Sequence, residues 1–115
     1  MKPSDWIKKL KEALKVRYIL EKESSYDIDV GVDKWGYHIV WKEPSFYEYK
    51  WITLDIFKED GEYRFIIKVI IDKLKYESDF RESDLVKGLE KVYDKIVNFE
   101  KYPKIPTENL NVWRF

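Results

Sequence analysis

Asp27, Asp29 and Asp33 stand with Glu23 in an eleven-residue stretch, 23–33, that contains no lysine or arginine. Carboxylates gathered in this way can hold a hard cation such as Mg²⁺ and stabilise a phosphoryl group in transfer. Strand alternation puts Asp27 and Asp29 on an outward face, and Asp55 of "TLDIF" points outward on a later strand. A second pattern, Glu48-Tyr49-Lys50, has the acid-x-Lys form that many metal-dependent nucleases carry on a strand. His38 is the single histidine. No serine or cysteine spacing marks a nucleophile beside it, so it reads as a surface or interface residue.

Simpler readings compete with each of these. Acidic side chains along a strand are commonly a solvated face, and a three-residue match arises readily by chance in a chain that is 38% charged. "YDIDVGV" with the later "LDI" resembles the strand aspartates of minimal nucleotidyltransferases, but the Gly-Ser phosphate turn those enzymes carry upstream is missing from "VRYILEKESS". Four glycines leave little material for a phosphate loop, and the absence of cysteine excludes disulfides and thiolate zinc sites. Asp27, Asp29 and Asp55 therefore stay as candidates for a metal-dependent phosphoryl-transfer or nuclease-like enzyme. The expectation is a protein without cofactor and without catalytic residues.

Charge offers a second alternative. Residues 1–22 carry seven Lys/Arg against three Asp/Glu, a net of +4, and residues 23–33 return −4. A lysine-rich first helix can follow phosphates, which keeps nucleic-acid binding open. The whole chain is at +0, so bulk attraction to a polyanion is absent. The order of elements is similar to that of double-stranded-RNA-binding domains, which have three strands and a basic opening to their second helix; here that helix opens on Ser83-Asp84.

Composition bounds the setting. At 115 residues the chain makes one domain, 1–115, able to bury roughly two thirds of its unfolded surface. Eighteen Lys, 12 Glu and 12 Ile beside no Gln and no Cys is the bias of hyperthermophiles, where desolvating ion pairs costs less. It points to a heat-loving archaeon or its virus. The apolar runs are short and "MKPSDWIKKL" lacks a signal-peptide core, so the chain reads as soluble and cytoplasmic with no membrane partner.

The elements that must position these residues follow from periodicity. Trp6, Ile7, Leu10, Ala13 and Leu14 predict a helix from about Asp5 to Lys22 with Ser4 as N-cap. "SSYDIDVGVDKWGYHIVWKEP" alternates at period two. A four-residue loop Asp33 to Gly36 would set Val32 against Tyr37, Val30 against Ile39 and Ile28 against Trp41, with Pro44 ending the second strand. Asp60-Gly61 is a hairpin signal that pairs Ile56 with Phe65, Leu54 with Ile67 and Ile52 with Val69 as the core row. "DKLKYESDFRE" either extends the fourth strand or forms a loop. Leu85, Leu89, Val92, Ile96 and Phe99 predict a second amphipathic helix capped by Ser83, stopped by Pro103 and weakened by Gly88 by about 1 kcal/mol.

The predicted fold is α+β: a two-layer sandwich, α-β-β-β-β-α, with a four-stranded antiparallel meander, both helices on one face, and an apolar tail over 103–115 that docks. The helix-free face is the candidate functional surface. It carries Tyr49, Trp51, Phe57, Ile66 and Ile70, joined by Val40, with charged Asp55, Arg64, Lys68 and Asp72 between them. The tail residues Leu110, Val112, Trp113 and Phe115 either fold back over this patch or, through Trp113 and Phe115, extend it. The reading that follows is a small protein-interaction module, a homodimer or the binder of another protein.

Overall fold

The computed structural model describes the backbone of residues 2–14, 19–29, 33–42 and 50–115, and the side chains of 2–14, 38–42 and 51–115. Its order is α1 (Pro3–Leu14), β1 (Ile19–Asp29), β2 (Asp33–Lys42), β3 (Lys50–Glu59), β4 (Glu62–Ile71), β5 (Leu74–Glu82), α2 (Leu85–Val97), a 3₁₀ turn (Phe99–Lys101), β6 (Ile105–Pro106) and β7 (Val112–Arg114). The seven strands form one sheet in the order β1-β2-β3-β4-β5-β7-β6, antiparallel except where β7 runs parallel to β5. The α+β sandwich is therefore present. Its predicted four-stranded meander is extended by β5 and by two short strands of the tail.

The β3–β4 hairpin has the predicted register throughout: Ile56 opposes Phe65, Leu54 opposes Ile67 and Ile52 opposes Val69. Asp60 and Gly61 both take positive φ, 51° and 76°, as the primed turn requires. All six paired side chains are buried, joined by Ile39 and Trp41 of β2. Ile7, Leu10 and Leu14 of α1 and Leu89, Val92 and Ile96 of α2 complete that same cluster, which sets both helices on one face. Trp6 meets Tyr93 edge-on at 5.9 Å, with the Lys9 ammonium over both rings, so the two helices share an aromatic seam.

Both helix starts differ from expectation. α1 begins at Pro3 rather than being capped by Ser4, because proline suits the first helical position and the Asp5 carboxylate accepts the Lys2 backbone N–H at 2.9 Å. α2 is capped by Asp84, not Ser83: its side chain accepts the Val86 N–H at 3.0 Å. Aspartate adds a charge that the helix dipole favours.

The first strand departs further. The helix predicted to reach Lys22 ends at Leu14, and β1 occupies Ile19–Asp29. Asp33 to Gly36, expected as a loop, open β2; Ile28 opposes Lys34 instead of Trp41, and Ile39 opposes Glu23. The observed register lets two long strands pair along their whole length, with one irregularity between Leu20 and Lys22. The predicted register would have left residues 19–26 without partners in β2. Val30, Val32 and Pro44 lie outside the described residues.

Beyond β4 the chain turns at Asp72, φ 55°, and returns as β5. Asp72 is thus an exposed turn residue and not a member of the outer row. Ser78 of β5 is buried against the helices and accepts a hydrogen bond of 2.6 Å from Lys95 Nζ. No described helix is long and apolar enough to cross a membrane.

Candidate functional site

With the helices on one side, alternation assigns the remaining side chains of β2–β5 to the other. Reading across the sheet, Lys42, Trp51, Ile70 and Lys75 form one row, continued by Val112 of β7. Val40, Thr53, Lys68 and Glu77 form the next, continued by Arg114, and His38, Asp55, Ile66 and Asp79 a third. Phe57, Arg64 and Arg81 close the face. Trp51, Phe57, Ile66, Ile70 and Val40 are all half-buried, and no described element lies over them. Flat cross-strand packing hides part of each ring and branch while leaving its upper surface open.

Three pairs of polar side chains meet within the face. Arg64 grips the Asp79 carboxylate with two hydrogen bonds, Nε at 3.0 Å and Nη2 at 2.6 Å. This fork holds Asp79 below the usual carboxylate range and raises the guanidinium in turn. Arg81 donates to Glu59 at 3.1 Å. His38 Nδ1 lies 2.5 Å from Asp55 Oδ1, with the two side chains 29% and 23% exposed. Neighbouring ion pairs of opposite sense leave the surface nearly neutral, a condition under which apolar groups can be covered without stranding a charge.

The structure sorts the sequence candidates. Val40, Trp51, Phe57, Ile66 and Ile70 are brought onto one face, while Tyr49 and Glu48 lie outside the described residues. The tail does not fold over this face. β7 pairs along the edge of β5, and Phe115 packs on the helix side against Phe99 and Tyr102, at 5.1 and 6.5 Å between ring centres. An edge strand offers unpaired backbone groups that an extended tail can satisfy, which a flat outer face does not. Trp113 stands opposite Tyr76, whose ring meets Phe99, so it too belongs to the helix-side row. Val112 is the tail residue that shares the row of Trp51.

Asp55 is engaged by His38, and the row it belongs to meets Ser24 in β1, neither Asp27 nor Asp29. The side chains of Asp27 and Asp29 lie outside the described set. Among the described residues no group of three or more His, Cys, Asp or Glu could hold a metal ion. Lys9 of the basic first helix lies over Trp6 and Tyr93 within the helix seam.

Sequence reasoning missed the contribution of β5. Lys75, Glu77, Asp79 and Arg81 alternate with Tyr76, Ser78 and Phe80, a period-two pattern whose outward row is wholly charged. That alternation is the signal in the sequence, and it is carried by charge with no apolar side chain in the outward row.

Compared with protein-family models, curated proteins and solved structures, the chain matches none.

Proposed function

We propose that this chain is a small protein-interaction module that binds another protein surface through the outer face of β2–β5. One observation carries the reading: Trp51, Ile70, Ile66, Phe57 and Val40 form a half-exposed apolar field on the sheet face opposite both helices. Aromatic residues within a rim of charge are the usual composition of an interaction surface. The pairing of Arg64 with Asp79 and of His38 with Asp55 supports it, because these four side chains satisfy one another when the face is covered. The Lys/Glu-rich composition without Gln or Cys supports a heat-loving archaeal or viral source, with the module working inside the cell.

The test is a comparison of the wild-type chain with Trp51→Lys by chemical cross-linking in lysate of the source organism. The wild type is expected to yield a specific cross-linked product, with itself or with another protein, that Trp51→Lys loses while its circular dichroism is unchanged. Identical cross-linked products from both chains would overturn the proposal.

A further inference from the structure

We infer that Ser78 and Lys95 form a second functional site, a nucleophile and its base that cleave a carboxylic ester at the open edge of β5. The site lies apart from the apolar field of the outer sheet face and does not depend on the reading given for it. It rests on a contact, a groove and a backbone donor.

The contact joins the buried Ser78 hydroxyl to Lys95 Nζ at 2.6 Å. Phe80, Tyr102 and Phe115 set their rings about this nitrogen, 5.2, 5.7 and 5.7 Å from it to the ring centres. Burial, and then the nearby Lys91, hold the ammonium below its ordinary 10.5. The other charged groups around the site are Glu77 and Asp79 of β5, Glu108 after β6 and Arg114 of β7. Among the described residues no carboxylate side chain bonds Nζ, so none locks it in the charged form. A desolvated lysine of this kind can serve as a base. When it gives up its proton the contact reverses: the Ser78 O–H donates to the amine, which keeps an N–H for the Phe115 carbonyl at 3.1 Å.

Both side chains line a groove of about 830 Å³ beside the edge of β5, walled in part by Ile105, Pro106 and Val112. That wall presents Ile105, 60% exposed, to the acyl chain of an ester lying over the two polar groups.

The donor follows from the ladder. Lys75 N–H bonds Asn111 O and Phe115 N–H bonds Glu77 O, so β5 turns the backbone of residues 75 and 77 toward β7. Alternation turns Asp79 the same way, and β7 ends at Arg114, opposite Glu77. The Asp79 N–H, one residue past Ser78, therefore faces the open edge with no backbone acceptor among the described residues. A donor so placed can hold a developing oxyanion.

In the reaction Ser78 Oγ bonds to the acyl carbon while its proton passes to the neutral Lys95 Nζ. The tetrahedral anion is held by the Asp79 N–H. Its collapse breaks the acyl–oxygen bond, and Lys95 returns the proton to the departing alkoxide. Water, deprotonated by the same amine, then attacks the acyl-serine, releasing the acid and restoring Ser78.

The test treats the wild type with a fluorophosphonate, which phosphonylates an activated serine, and locates the adduct by peptide mass analysis; p-nitrophenyl butyrate serves as the ester. The expected results are an adduct on Ser78 and ester hydrolysis that Ser78→Ala abolishes. Lys95→Arg keeps the positive charge but cannot give up its proton, and it is expected to slow both reactions on the order of a hundredfold with its melting temperature little changed. Should a variant fail to fold, the wild type's own labelling rate decides: it is expected to rise with one deprotonation below 10.5 and then level off. A merely structural lysine would leave that rate following hydroxide concentration without a plateau. No adduct on Ser78, an adduct that Lys95→Arg forms at the wild-type rate, or the absence of a plateau overturns the inference.

Discussion

The ring of Phe65 fills the space where a side chain at Gly88 would begin. A Cβ built on Gly88 falls inside the van der Waals envelope of Phe65 Cζ and Cε2, with Cε1 at 2.8 Å. Sequence alone reads Gly88 as a flaw in a helix. In the structure it is the notch by which α2 settles over the sheet, and Phe65 stacks in turn on Phe80 at 5.1 Å. Gly88→Ala gains about 1 kcal/mol in helix propensity. It incurs overpacking of about 1–3 kcal/mol against a fully buried ring. Net destabilisation is expected, read as a lower melting temperature. Adding Phe65→Leu should recover part of it, since the smaller side chain vacates the space; a double-mutant cycle with no coupling would contradict the contact.

The two candidate caps of α2 can be separated by substitution. Asp84→Ala removes the acceptor of the Val86 N–H and a favourable charge at the helix start, and is expected to cost about 1 kcal/mol. Ser83→Ala should change little, as Ser83 is exposed and lies outside the cap. Denaturant midpoints with unchanged slopes would report both effects. Equal losses from the two variants would show that the cap is shared.

How much of this was legible in the sequence depended on whether a local rule and the tertiary context agreed. The β3–β4 register was readable because Asp60-Gly61 fixes the turn and the alternation of Ile52, Leu54 and Ile56 is unbroken. The apolar spacing of α2 was readable for the same reason, and it predicted burial of Leu89, Val92 and Ile96. The β1–β2 register was not. "DIDVGVDKWG" offers turn residues at several places, and the choice among them is set by the length of ladder that forms. The outer apolar residues were found by alternation, yet their charged partners on β5 were missed, because only the folded sheet shows that Arg64 reaches Asp79 and not Asp55 or Asp72.

The Arg64–Asp79 pair gives a pH-dependent signature. The hydrogen bond from Arg64 holds Asp79 below its ordinary 3.8, so the folded state binds that proton less tightly than the unfolded state. The pair's contribution is fully present above the unfolded value and is lost as pH falls through the depressed one. Asp79→Asn should therefore lie below the wild type in melting temperature at neutral pH, and the gap should close in the acid range below about pH 4. Both side chains are more than a third exposed, so the gap should be small. A gap that stays constant to the lowest pH would show that the carboxylate's charge plays no part.

Lys95 ties the tail to the body of the protein. Its Nζ donates to Ser78 Oγ on β5 at 2.6 Å and to the Phe115 carbonyl at 3.1 Å, and it sits over the rings of Phe80, Tyr102 and Phe115. Beside the pairing of β7 with β5, backbone bonds flank it: Lys75 N–H donates to Asn111 O at 2.8 Å, and Phe115 N–H to Glu77 O at 3.2 Å. Lys95→Met keeps most of the apolar stem but removes both donated bonds, leaving the buried Ser78 hydroxyl without its lysine. Amide exchange should accelerate at Phe115 and Val112 while Ile67 and Val69 in the centre of the sheet stay protected. Burial, and then the nearby Lys91, depress the Lys95 ammonium, so the folded state binds its proton less tightly than the unfolded chain. The wild type should accordingly gain stability relative to Lys95→Met as pH rises through that depressed value toward 10.5, the same direction with pH as Asp79 shows in the acid range. Uniform acceleration of exchange across the whole sheet would instead make Lys95 a support of the core and not a clasp on the tail.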